Sequence, residues 1–283
     1  MKVLIESGAT KSDWRVLGPD GKQVRQFLRG GMNVSAMRLE TVKATLAEAI
    51  REEGLEEAEG VYLYTAGVVT DAIRSELTEA IRQALGASAP AGAPDIDIQD
   101  DLVGAARAVC GPGSGIVAIL GTGSNTCFYD GQNIHRKVYS GGYVIGDEGG
   151  GAVLGKLFLS DYIKGLVPEP VAGNFAKAYD ASYAGIVENV YRSASPSGYL
   201  GSLAPFLLEH QDDAYVKALI DKNFQAFIDR SLLRYDVARY PVGVVGGFGW
   251  ACRDILTPLL EEAGIRVSRF LKAPVEGLCG YHG

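Results

Sequence analysis

The chain is poor in the features that mark membrane, secreted, zinc-bound and nucleic-acid-bound proteins. No apolar run in its 283 residues approaches the ~20 needed to span a bilayer, so a membrane protein is not expected. Cysteine is scarce: Cys110, Cys127, Cys252 and Cys279 form no C-x-x-C pair, and dispersed thiols suit buried positions in a reducing compartment. His135, His210 and His282 stand apart, with no partner at ligand spacing for structural zinc. Basic residues are outnumbered, 27 Lys and Arg against 34 Asp and Glu for a formal charge of −7. A nucleic-acid surface needs the opposite balance. The opening Met1-Lys2-Val3-Leu4-Ile5-Glu6 meets a carboxylate after three apolar residues, so no signal-peptide core is expected and the chain reads as cytoplasmic.

What is abundant is glycine, 37 residues, within a chain that is 47% hydrophobic and only 22% charged. Such a composition buries a full core and excludes disorder. Short apolar runs with turns between them predict strands at Lys2–Glu6, Trp14–Leu17 and Gln23–Leu28. Leu39, Val42, Leu46 and Ile50 then recur at helical spacing, with Ser35 as a cap and Gly54 as a stop. A strand at Val61–Thr65, a helix with the stripe Ile73, Leu77 and Ile81 from Asp71 to Gly86, a loop at Ala87–Pro94 and a strand through Ile96 and Ile98 follow. The order β-β-β-α-β-α-β implies a mixed sheet covered by helices. The pattern restarts after Gly111: strand Ile116–Leu120, small-residue turn, strand Thr126–Tyr129, turn Asp130-Gly131. The same unit is used twice on this reading, giving an α/β chain of two domains, 1–114 and 115–283. Helices are expected in the second half, one with Val216, Leu219, Ile220, Phe224, Phe227 and Ile228 on a single face.

Three turns combine glycine with hydroxyls or exposed amides: Gly8–Ser12, Gly121–Asn125 and Gly246–Gly249. Without side chains, successive backbone N–H groups can converge on a phosphate oxygen. Thr10, Ser12, Thr122 and Ser124 could add hydroxyl donors, and Lys11 a positive charge. Hairpin turns and strand ends also call for glycine, so both accounts stand for any single turn. The P-loop pattern is absent. The dinucleotide fingerprint fails at Cys252, which occupies its third glycine position. Asp100 or Asp101 could cap a helix from Leu102 to Val109.

These residues together carry a resemblance. Glu6-Ser7-Gly8-Ala9-Thr10-Lys11-Ser12-Asp13-Trp14 resembles the first phosphate motif of the actin-like ATPase superfamily, which includes sugar kinases. Ile119-Leu120-Gly121-Thr122-Gly123-Ser124-Asn125 resembles its second, and Val244-Val245-Gly246-Gly247-Phe248 its adenosine motif. More narrowly, the chain is similar to the BadF/BadG/BcrA/BcrD-type ATPases and their N-acetylglucosamine kinase-like members. Gln99 to Ala105, Gly141 to Gly149 and Pro274 to Leu278 are further matches, in family order along the whole chain.

The resemblance implies two actin-like, ribonuclease H-like lobes closing on ATP, and transfer of its γ-phosphoryl group to the 6-hydroxyl of N-acetylglucosamine or a related amino sugar. It implies Asp101 as the catalytic base and Asn33, Asp101, Gly142, Tyr143, Asp147 and Glu148 as sugar contacts. ATP would meet Gly8, Ala9, Thr10, Lys11, Gly121, Thr122, Gly123, Ser124, Gly246, Gly247 and Phe248. Magnesium would be positioned by Glu6, directly or through water, where the family usually has aspartate. Relatives also imply a homodimer. Two alternatives share the fold: an ATPase acting on a partner protein through an iron–sulfur cluster, for which Cys110 and Cys127 are the candidate ligands, and a nucleotide- or sugar-binding module of weak turnover.

Overall fold

The computed structural model describes residues 1–8, 11–34, 37–68, 70–86 and 93–283. Ser35, the expected cap of the first helix, lies outside them, and Arg38 occupies the capping position with no side-chain bond. The chain forms two units, Met1–Gly113 with Ala273–Gly283, and Ser114–Lys272. Among the described residues no helix is long and apolar enough to cross a membrane.

Unit 1 begins with β1 (Lys2–Ser7), β2 (Lys11–Leu17) and β3 (Gln23–Gly30). Then come α1 (Leu39–Glu52), β4 (Gly60–Thr65), α2 (Asp71–Leu85), β5 (Asp95–Gln99) and α3 (Asp101–Cys110). The strand order is β3-β2-β1-β4-β5. The first three strands pair antiparallel through short turns, whereas β4 and β5 join in parallel after helical crossovers, as crossover length requires. Every residue of β4 is buried, the mark of a strand covered on both faces. Val3, Ile5, Trp14, Met32, Leu46, Leu63 and Leu77 centre its core. Trp14, fully buried and stacked on Phe27, keeps its indole N–H satisfied by donating to Ser12 Oγ at 2.9 Å.

Unit 2 repeats the plan with β6 (Gly115–Leu120), β7 (Ser124–Tyr129) and β8 (Ile134–Val138). A helical block follows: α4 (Gly142–Ile145), α5 (Gly151–Tyr162), α6 (Val171–Ala178), α7 (Tyr183–Tyr191), α8 (Pro196–Ser202), α9 (Ala204–Glu209) and α10 (Ala214–Arg230). The chain then forms β9 (Val242–Val245), α11 (Gly247–Ala251), α12 (Arg253–Glu262) and β10 (Val267–Leu271). Its sheet order, β10-β9-β6-β7-β8, is unit 1's order read from the other edge, with the same antiparallel and parallel pairs. The α10 stripe packs into the core as its periodicity predicts.

The final helix, α13 (Pro274–His282), joins unit 1, whereas the sequence pattern places it with 115–283 in the second domain. The reason is a close approach. A Cβ on Gly277 would stand 2.3 Å from the carbonyl oxygen of Ala108 on α3, so only glycine lets the two backbones touch. Gly277→Val should therefore destabilise unit 1 by about 2 kcal/mol through overpacking, measured as a lower melting temperature.

Beside this contact His282 stacks on Tyr62 at 3.9 Å, and its Nε2 lies 2.7 Å from Tyr64 Oη. Arg107 donates to the same phenol at 2.8 Å, and when the Tyr64 hydroxyl in turn donates to His282 it needs an Nε2 that carries no hydrogen. Burial first, then the charges of Arg107 and Lys2, lowers the His282 pKa from 6.5 to about 4. Its contribution to stability is complete above pH 6.5 and is lost as pH falls toward 4, because the unfolded chain binds the proton more readily. His282→Phe should flatten the fall in melting temperature over that interval; an unchanged profile would remove His282 from the acid sensitivity.

Candidate active site

In unit 1 the candidate residues gather where β1, β4 and β5 end, the carboxyl edge at which open α/β sheets bind ligands. Ser7 closes β1, and its Oγ accepts from the Met32 N–H at 2.7 Å. Thr65 closes β4 and donates to the Met32 carbonyl, also at 2.7 Å. Held from both sides and itself fully buried, Met32 fixes the segment that carries Asn33. Val34 N–H then bonds Ala66 O at 3.1 Å, and Gly67 N–H reaches Asp100 Oδ2 at 3.4 Å. Asn33 and the start of α3 are thus tied through one loop.

The choice between Asp100 and Asp101 as the cap is resolved. Asp100 is the N-cap, its Oδ1 accepting from Leu102 N–H at 3.2 Å, while Asp101 opens the helix as its first residue. That position is at the positive end of the helix dipole.

The first glycine turn joins β1 to β2, with Ser7 opposite Ser12. Ala9 and Thr10 lie outside the described residues. Gly8 donates its N–H to Lys11 O at 3.0 Å, closing the turn, and Lys11 is exposed. Ser12 does not supply a hydroxyl to a ligand: it is buried, its Oγ donating to Gly30 O at 2.9 Å and accepting from Trp14. Glu6 stands opposite Asp13 across the hairpin. Burial, then the Asp13 carboxylate, raises the Glu6 pKa above its usual range, with Lys11 opposing. Arg15 binds both oxygens of Asp13, at 2.7 and 2.9 Å.

In unit 2 the second and third turns meet. Gly121 N–H bonds Gly123 O, and the Gly121 and Thr122 carbonyls accept from Gly151 and Ala152 at 2.9 and 2.8 Å, docking the start of α5. Gly246 has φ of 124°, and a Cβ there would meet Leu120 O at 2.4 Å. With Gly247 and Phe248, these turns line a cavity of about 340 Å³, within the range of small-molecule pockets. Phe248 stacks on Phe224 behind it. Gly151, Gly201, Ala204, Pro205, Leu208 and Ala251 complete the wall. None of these six was singled out from the sequence, since small and apolar residues on α5, α8, α9 and α11 carry no chemical signature. Ser124 is buried at the start of β7.

The acidic loop is also in unit 2. Gly142 begins α4, and Tyr143 packs against the core while its carbonyl accepts from Lys156 at 2.8 Å. Asp147 has φ of 57°, alone among the described non-glycine residues in being positive. Its carboxylate lies against Gly123, where a Cβ would be 2.5 Å from Oδ2. Sequence had placed Asp147 with the sugar and Gly123 with the nucleotide; the fold puts them in contact. Glu148 pairs with Arg230 at 2.6 Å.

No family profile matches the chain. A Porphyromonas gingivalis protein provisionally assigned as an N-acetylglucosamine kinase is 35% identical in its crystal structure, with a TM-score of 0.90 over all of this chain and 98% of that one. A Chromobacterium violaceum structure provisionally assigned the same activity shares the fold at 21% identity, with a TM-score of 0.75 over 100% and 99% of the two chains. The N-acetylmuramic acid/N-acetylglucosamine kinase of Clostridium acetobutylicum is 27% identical over 227 residues, 75% of this chain and 70% of its own.

Gly246→Ala tests the cavity. The added methyl must displace the β6 backbone or its own turn, at a cost of about 1–3 kcal/mol. Calorimetry with a nonhydrolysable ATP analogue should find weakened binding in the folded variant, and wild-type affinity would exclude this turn from the nucleotide site. The shared strand order, the glycine turns at the strand ends and the whole-length likeness to the P. gingivalis protein establish that the chain belongs to the N-acetylglucosamine kinase-like family of actin-like sugar kinases.

Proposed function

We propose that the protein is an ATP-dependent sugar kinase that transfers the γ-phosphoryl group to the 6-hydroxyl of N-acetylglucosamine or a close amino sugar. The observation that carries this reading is the tie in unit 1 from Asn33 through the 66–67 loop to the start of α3. It gives an amide, able to donate and accept, and a carboxylate a common anchor at the carboxyl edge of one sheet. Asp101 accepts the hydroxyl proton and orients the oxygen in line with the phosphorus. The transition state of phosphoryl transfer is loose, so orientation outweighs basicity. Asn33 holds a ring hydroxyl, and Asp147 accepts from another.

Lys11 and the amides following Gly8 and Gly121 meet the phosphates, and the cavity beside Phe248 takes the adenosine. Glu6 would hold magnesium. Its hard oxygens suit that ion, which commonly takes one or two carboxylates beside phosphate oxygens, and a cation there would offset the desolvation and the Asp13 repulsion that raise its pKa. The metal would supply charge neutralisation at the phosphates. Against the iron–sulfur alternative, a cluster shared between subunits requires thiolates at a surface, and Cys127 is fully buried.

The test is ADP release across a panel of sugars with magnesium and ATP. Sugar-stimulated ADP is expected, greatest with an N-acetylated amino sugar; its absence from folded protein would overturn the reading. Asp101→Ala should retain nucleotide binding and lose transfer by about 10²–10⁴-fold.

A further inference from the structure

The acidic loop of unit 2 is gripped by one helix. Asn223 and Arg230 lie seven residues apart on α10, hence on one face. Asn223 is 1% exposed, and a buried amide is costly unless its hydrogen bonds are made. Its Oδ1 accepts from Gly149 N–H at 2.9 Å and its Nδ2 donates to Gly150 O at 3.2 Å. Two turns later Arg230 binds Glu148 at 2.6 Å, where the Glu148 side chain retains 16% exposure. Both contacts fall on the residues that immediately follow Asp147.

That loop needs holding. Asp147 and Gly149 both have positive φ, at 57° and 81°, and a non-glycine residue persists there only when its surroundings over-determine it. Gly150 N–H returns to Asp147 O at 2.9 Å, and the next two amides dock on the Gly121–Thr122 carbonyls. The α10 side chains therefore hold the stretch between the Asp147 carboxylate and the second glycine turn. Glu148 lines a cavity of about 300 Å³ together with Lys156, Lys222 and Arg230, and of these it pairs with Arg230.

We propose that α10 positions Asp147 for the sugar: Asn223 clamps the loop backbone, and Glu148 is a strut to Arg230 rather than a sugar ligand. The inference rests on the sugar-kinase reading above. Asn223 and Arg230 are positioning residues acting through Asp147.

Steady-state kinetics with N-acetylglucosamine as the varied substrate, run beside thermal melts, tests it. Asn223→Ala should raise the sugar KM by about tenfold or more, as a displaced carboxylate would. A merely structural Asn223 would lower the melting temperature and leave that KM unchanged, which would overturn its assignment. Should Asn223→Ala not fold, the second arm decides. Glu148→Gln and Arg230→Met should each raise the sugar KM by about fivefold, as expected for a partly exposed ion pair. The double variant should be no worse than either single, and Arg230→Lys should recover most of the loss. A Glu148→Gln effect far larger than that of Arg230→Met, multiplying in the double variant, would make Glu148 a direct ligand and overturn the strut. Wild-type protein with no sugar-stimulated turnover would overturn the kinase reading and this assignment together, whereas wild-type turnover with unmoved variants overturns the assignment alone.

Discussion

The backbone is approached here at points where a Cβ would leave no room, and the candidate site depends on those contacts. The turn after β9 can press on the end of β6 because Gly246 has no side chain, and Asp147 can lie on the second turn because Gly123 has none. The first contact brings peptide groups near one another, so that amides and carbonyls define the shape there, and the second lays a carboxylate directly on a peptide. A methyl at either position would move a wall of the site before it altered any chemistry.

The two units solve one problem by the same route. Three hairpin-linked strands build a sheet, two parallel strands extend it, and the candidate site segments leave from the carboxyl ends. Their endings differ. Unit 1 anchors the loop that carries Asn33 with buried hydroxyls, Ser7 and Thr65, bound to the Met32 peptide. Unit 2 anchors its loop with the buried Asn223 amide and the docked start of α5. In both, a buried polar group satisfies backbone that would otherwise carry an unpaired donor or acceptor.

That economy explains one expectation that failed. Ser12 sits in a phosphate-like motif, and a hydroxyl there invites a ligand. The core needed it first, because burying Trp14 requires an acceptor for the indole N–H. Asp13 is likewise engaged by Arg15, leaving Glu6 as the acidic group of that hairpin with a raised pKa. Among adjacent polar residues, inward-facing ones are claimed by the fold, and strand alternation decides which those are.

Local order was legible in the chain because it is written in spacing. Period-two runs, helical stripes and glycine at turns located the elements of the first unit and the α10 face, and the motif series indicated the fold and the family. The rest was decided by contacts between residues distant in sequence. The return of α13 to α3 depends on Gly277 meeting Ala108; the apolar lining of the unit 2 cavity comes from four separate helices; the grip of Asn223 on Gly149 spans 74 positions. Periodicity reports which face of an element is apolar, but not which other backbone it will touch. Only the packed chain determines that.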